Sequence, residues 1–212
     1  MRGILINNKI HTGDDLGLVM TEKTIGAPTP QTNYIDVPGR NGSLDLSTYL
    51  TGEVAYSNRS LRFKFVGNGS RETVLTLIDE MMLYHGHHLQ ITTDDYPDWY
   101  YEGRAIIAYT DHGHYVEFEM SVNAQPFCYS LKPKKYELYV TESKQIAVTN
   151  VGQSIIPTIT VDSDMTISSG GVSVTLSKGV YKPLPLRLPH GATIFVVSGT
   201  GNIVIEFKEA VI

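Results

Sequence analysis

One cysteine, Cys128, in a chain of 212 residues excludes an internal disulfide framework, so stability has to come from packing. Its setting in "QPFCYS" is aromatic and apolar, which suits a half-buried thiol better than a nucleophile. Positive charge is not in excess either. Seventeen Lys and Arg stand against 22 Asp and Glu, a net charge of −5, and a nucleic-acid partner would call for a concentrated basic face. The single basic cluster, Lys132-Pro133-Lys134-Lys135, reads as a solvated linker. Long apolar runs are missing: nothing approaches the ~20 residues of a membrane span. The N-terminal "MRGILINNKIHTGDD" is broken by Asn7, Asn8 and Lys9 before it could serve as a signal peptide. The expectation is a chain made in a reducing cytoplasm with no membrane partner, whose Asn-x-Ser triplets at Asn41, Asn58 and Asn68 are turns rather than glycan sites. P-loop, GxSxG and HExxH patterns are absent, as is a GxGxxG following a strand.

What is present is alternation. "SLRFKFVG" sets Leu61, Phe63 and Phe65 against Arg62 and Lys64. "HYVEFEMSV" sets Val116, Phe118, Met120 and Val122 against Tyr115, Glu117 and Glu119, and "GNIVIEF" sets Ile203, Ile205 and Phe207 against Val204 and Glu206. A period of two with one wet face belongs to antiparallel sheets, and the frequent Gly, Asn, Asp and Pro punctuation belongs to an all-β sandwich or barrel. One segment departs. "SRETVLTLIDEMMLYHG" places Val74, Leu75, Ile78, Met81 and Met82 at helical spacing, with Ser70 to cap it and Gly86 to end it. An amphipathic helix over about 71–85, packed on a sheet, is predicted, with Met81 and Met82 in the core.

The texture changes near 130–138, where charge and two prolines gather in "QPFCYSLKPKKYE". The chain is therefore read as two domains, 1–135 and 136–212: a mostly β first domain with one packed helix, and a small β-sandwich whose strands are divided by "NVGQS", "SSGG", "LPHG" and "SGTGN".

Catalysis needs a nucleophile with a base, or carboxylates in differing environments. The best acidic cluster is Asp94, Asp95 and Asp98 beside Trp99, Tyr100 and Tyr101, which would suit a sugar cleft or a glycosidase pair. The same "DDYPD" is good turn chemistry, with the aromatics continuing the next strand. His85, His87 and His88 in "YHGHHL", with His112 and His114 in "DHGHY", would make a zinc site if the two loops met, yet no Cys or spaced carboxylate completes a ligand pattern. The sequence thus assigns no catalytic residue, no metal and no cofactor.

The ordered set "VPGRNGSLDLSTYLTGEVAYSNRSLRFKF", one helix, and "HGHHLQITTDDYPDWYYEGRA" ending near "QPF" resembles the distal tail protein family of long-tailed phages, over roughly residues 1–130. The remainder, with "TNVGQSIIPTITV" and "LPHGATIFVVSGTGNIVIEF", is similar to that family's small C-terminal sandwich, of the galectin or carbohydrate-module kind. The resemblance implies a non-enzymatic virion protein at the distal tail tip or baseplate. It implies a homo-oligomeric ring, typically of six subunits, that joins the tail tube protein to tail-associated or tail-fibre and receptor-binding proteins, with DNA only passing through. Within the motif, Asp36, Pro38, Gly39, Arg40, Asn41, Gly42, Asp45, Asn58 and Arg59 form the candidate assembly and turn set. Gly39 and Gly42 allow abrupt reversals, and Arg40 and Arg59 offer forked donors for Asp36, Asp45 or Glu53, within a subunit or across a ring contact. The rival class is a monomeric carbohydrate-binding β-sandwich, served by Trp99–Tyr101 or by the second domain; a hydrolase using Asp94, Asp95 and Asp98 is a third. In the second domain the aromatics are Tyr139, Tyr181, Phe195 and Phe207, with no Trp, which favours protein docking over sugar stacking.

Overall fold

The computed structural model describes residues 2–49, 52–183 and 185–212. The chain forms two compact units, one running through Cys128 and joined by Ile212, the other Tyr129–Val211. The division falls slightly ahead of residue 135. Ser130 explains part of this, since its N–H donates to the Glu209 carbonyl at 2.9 Å and its hydroxyl accepts from the Glu209 N–H at 3.0 Å.

The first unit contains β1 (Ile4–Ile6), β2 (Ile10–His11), β3 (Val19–Ile25), the short β4 (Tyr34–Ile35) and β5 (Leu44–Asp45), and β6 (Arg59–Asn68). It continues with α1 (Arg71–Met82), β7 (His88–Thr93), β8 (Tyr96–Asp111) and β9 (Tyr115–Ala124). The main antiparallel sheet runs β2-β1-β7-β8-β9-β6-β3. Its long strand β8 changes partner along its length: Tyr96–Arg104 faces β7, and Gly103–Asp111 faces β9. The period-two pattern sorts as expected, with Leu61, Phe63, Phe65, Val116, Phe118, Met120 and Val122 buried.

Helix α1 lies against β6, β8 and β9. Ser70 caps it, its hydroxyl accepting from the Thr73 N–H at 3.2 Å. Its buried stripe is Val74, Leu77, Ile78 and Met81, whereas Leu75 is 46% exposed and Met82 half-buried, against expectation. The helix also stops at Met82, short of 85, because the following turn is bonded to the sheet, with Gly86 N–H donating to the Ala105 carbonyl at 2.8 Å.

β10 (Cys128–Ser130) straddles the division, and the second unit follows with β11 (Lys134–Val140), β12 (Ser143–Asn150), β13 (Thr158–Val161) and β14 (Met165–Ser169). It ends with β15 (Val172–Leu176), β16 (Gly179–Tyr181), β17 (Gly191–Gly199), β18 (Gly201–Phe207) and β19 (Ala210–Val211). Two four-stranded antiparallel sheets, β11-β18-β13-β16 and β12-β17-β14-β15, enclose a core that includes Ile159, Ile167, Phe195, Ile203, Ile205 and Phe207. The basic cluster is not merely a solvated linker: Lys134 begins β11 and pairs with the buried Glu209 at 2.6 Å. The same Glu209 oxygen, Oε1, also accepts from the Val151 N–H at 3.0 Å, so the buried charge is both paired and hydrogen-bonded.

Candidate functional site

Between β3 and β6 the chain leaves the sheet as an arm. Its two legs are tied by Gln31 N–H to the Ala55 carbonyl at 2.8 Å and by Ser57 N–H to the Thr29 carbonyl at 2.9 Å. Tyr56 anchors the root edge-on to Phe127, with ring centroids 5.8 Å apart. At the tip, β4 and β5 pair as a hairpin. Pro38 and Gly39 occupy the centre of a turn closed by Arg40 N–H to the Val37 carbonyl at 3.1 Å, and Gly39 has φ +80°. Proline followed by a positive-φ glycine is the sequence a type II turn requires. Gly42, at φ +76°, completes the reversal.

The arm carries large apolar side chains in water: Tyr34, Ile35, Val37, Tyr49 and Val54 are 59, 46, 42, 79 and 41% exposed. Its carboxylates are locally fixed. Asp36 accepts from the Ser43 hydroxyl at 2.6 Å, and Asp45 accepts from the Ser47 N–H at 2.9 Å and from the Ser47 hydroxyl. The Ser47 hydroxyl, then its N–H, hold Asp45 below the ordinary carboxylate value. Arg40 has no ion-pair partner among the described residues.

Arg59 is also placed differently from the carboxylate pairing expected of it. Its guanidinium is buried, Nε donates to the Gly26 carbonyl at 2.9 Å, and the group lies 5.4 Å from the centre of the Tyr101 ring. Tyr101 is buried beside Cys128, and burial pushes its phenol up to about 12. The neutral phenol is favoured in the folded state, so the resulting stability is complete below pH 10 and disappears as the pH rises through the raised folded value. Melting at pH 9 and pH 11.5 should therefore show an alkaline loss of about 2 kcal/mol in the wild type that Tyr101→Phe lacks; equal losses in both proteins would contradict it.

The acidic and aromatic cluster does not converge on a cleft. Asp94 and Asp95 form the turn between β7 and β8. Asp94 accepts from the Gly3 N–H at 2.7 Å and contacts His11 Nε2 at 3.0 Å, and Asp95 pairs with Lys23. Asp98 is exposed, Trp99 half-buried, and Tyr100 and Tyr101 are buried, leaving no open ring for stacking from the two tyrosines. The histidines are dispersed as well. His85 Nδ1 is engaged by the backbone of Ile107, and His112 stacks on Tyr115 with centroids 4.3 Å apart. Among the described residues no three metal-ligating side chains come together.

The outward face of the first unit's sheet was not legible in the sequence, because its rows are assembled by register. One row runs His88, Arg104, Asn123, Ser60 across β7, β8, β9 and β6. The next runs Ile106, Ser121, Arg62, and the third Ala108, Glu119, Lys64, Glu22. The third row borders an open concavity of about 650 Å³, and its charges are matched, Lys64 with Glu22 at 2.5 Å within the row and Glu119 with Arg62 of the second row at 2.6 Å. The first two rows together are different: Ile106 of the second, 60% exposed, stands beside Arg104 and Asn123 of the first over two smaller recesses of about 330 and 350 Å³. No helix among the described residues is long and apolar enough to cross a membrane.

No protein-family model matches the chain, and no curated protein matches its sequence. Among solved structures, it is similar to the crystal structure of SPP1 Dit (gp 19.1), a protein called a paradigm of the hub adsorption apparatus in Gram-positive infecting phages. The match has a TM-score of 0.64 at 17% identity and covers 98% of this chain and 99% of that one. Mostly β, with several antiparallel sheets and one helix, this chain has the fold of that hub protein along nearly its whole length.

Proposed function

We propose that the chain is a distal tail protein: a structural, non-enzymatic component of the tail of a long-tailed phage or prophage. It resides in the virion at the distal tail tip and assembles there as a ring, of six copies in the family. The ring connects the tail tube protein to tail-associated, fibre, receptor-binding or baseplate proteins. The observation that carries this reading is the likeness to SPP1 Dit over 98% of the chain, both units included. Asp94 and Asp95 are engaged within the subunit by Gly3, His11 and Lys23, which supports a structural use of that turn. DNA passes the ring without being bound, in keeping with a net charge of −5.

The arm, with its Asp36–Asp45 turn set, is the part we assign to subunit contact, while the buried Arg59 fixes its root within the subunit. The second unit acts as a docking platform. Its β12-β17-β14-β15 face, with Gln145, Ala147, Ile194, Val196, Thr166 and Thr175, is uncharged, and Phe195 and Phe207 are buried, which does not favour a sugar-stacking surface. Clear glycan-array binding would reverse that preference.

Light scattering on size-exclusion fractions, followed by negative-stain imaging, tests the ring. Closed rings with a central opening are expected. A strict monomer across the accessible concentration range would overturn ring formation by the chain alone, and an Arg40→Ala protein forming rings of unchanged stability would remove that residue from the contact.

A further inference from the structure

The arm offers a contact surface but does not say where it lands. Its tip, residues 34–45, exposes Tyr34, Ile35 and Val37 on a hairpin whose strands are two residues each. Such a hairpin gains little stability by itself, and a concentration of exposed apolar groups on it marks a contact surface. The outward sheet face supplies a surface of matching character. Its recess of about 330 Å³ is lined by Asn58, His88, Arg104, Ile106, Asn123 and Gln125. The second recess, about 350 Å³, shares Asn58, Ile106 and Asn123 with it. An exposed isoleucine inside a polar rim is the arrangement of an interface anchor.

Resting on the ring reading above, we propose that the arm tip of one copy docks on this face of a second copy, with Ile35 and Val37 over Ile106 and Asp36 meeting Arg104. Charge decides the occupant. The recess lining contains no carboxylate, and Arg104 uses one donor on the Gly86 carbonyl, leaving others of its five for an incoming anion. The tip contributes Asp36 and Asp45 against the single Arg40, so a copy of this chain brings the complementary sign. Topology sets the direction. The arm springs from the β3–β6 edge of the sheet, where Asn58 at its root closes one end of the recess; the other end lies across β9 and β8 at His88 on β7, roughly 14 Å away at normal strand spacing, and no residue of the tip lines it. Donor and acceptor are therefore different surfaces of one subunit, the head-to-tail relation that closes into rings by rotation.

Two full-length single variants, Val37→Cys and Ser121→Cys, are mixed and treated with a short bis-maleimide; Cys128 is buried and stays unreactive. Ser121 neighbours Ile106 across β8–β9, so a cross-linked heterodimer is the expected product. Ile106→Glu should raise the concentration needed for assembly at least tenfold without changing the melting curve, because the side chain is 60% exposed. Asp36→Arg and Arg104→Asp should each weaken assembly, and the double variant should recover it. Normal rings from Ile106→Glu with no heterodimer would overturn this contact and leave the ring standing. A wild type that neither assembles nor cross-links at its solubility limit would overturn both.

Discussion

Gly103→Ala will lower the melting temperature of the first unit by roughly 10 °C, an expected cost of about 3 kcal/mol or more. A β-carbon on Gly103 would stand 2.4 Å from the Asn123 carbonyl oxygen, 2.5 Å from the Ala124 Cα and 2.8 Å from the Asn123 carbonyl carbon. All three are backbone atoms of β9, so no rotamer change relieves the overlap and the sheet itself must part. Gly103 occupies the point where β8 is paired on both sides, to Leu89 of β7 and Ala124 of β9. A glycine at such a close backbone approach is a steric requirement, and it explains the glycine in "YYEGR". Calorimetry on the purified variant checks it; a melting temperature within about 2 °C of the wild type would refute the close approach.

Arg59→Ala has the second-largest expected effect, about 3 kcal/mol. The charge-assisted bond to the Gly26 carbonyl accounts for roughly half of this. The guanidinium over the Tyr101 ring and the lost packing of a side chain only 6% exposed supply the remainder. Arg59→Lys should restore little, since an ammonium cannot both donate from Nε to Gly26 and lie flat on the ring. A spectroscopic signature separates this arrangement from general disruption. The Arg59 cation draws the Tyr101 phenol downward against the larger effect of burial, so in a folded Arg59→Ala protein Tyr101 should ionise at still higher pH. Ultraviolet titration of the tyrosines would show it, and an unchanged or lower midpoint would contradict the contact.

The turns and the strand faces were legible because their causes are local. Val37-Pro38-Gly39-Arg40 contains its own instruction, a fixed φ at proline followed by a residue free to adopt φ +80°. Phe63, Phe65, Phe118 and Met120 announce their face by alternation alone. The helix was only partly legible: spacing found Val74, Ile78 and Met81, but Leu75 is exposed and Met82 only half-buried, and the Gly86–Ala105 bond ends the helix early. The acidic and aromatic cluster was ambiguous for a related reason. "DDYPDWYY" satisfies both a cleft and a turn, and burial of Tyr100 and Tyr101 decides for the turn.

By itself, then, the sequence determined a disulfide-free, mostly β chain with one helix and a Pro-Gly hairpin, since these depend on backbone sterics, residue type and periods of two or 3.6. Tertiary structure alone decided the row of His88, Arg104, Asn123 and Ser60, the isolation of Ile106 on an outer face, the lodging of Arg59 over Tyr101, and the pairing of Lys134 with Glu209. Each of these depends on register between strands distant in the chain, and a slip of one residue would turn every side chain to the opposite face. Local preference cannot encode that choice, which is made when Phe63, Phe65, Phe118 and Met120 pack together under the helix and fix the strands against one another.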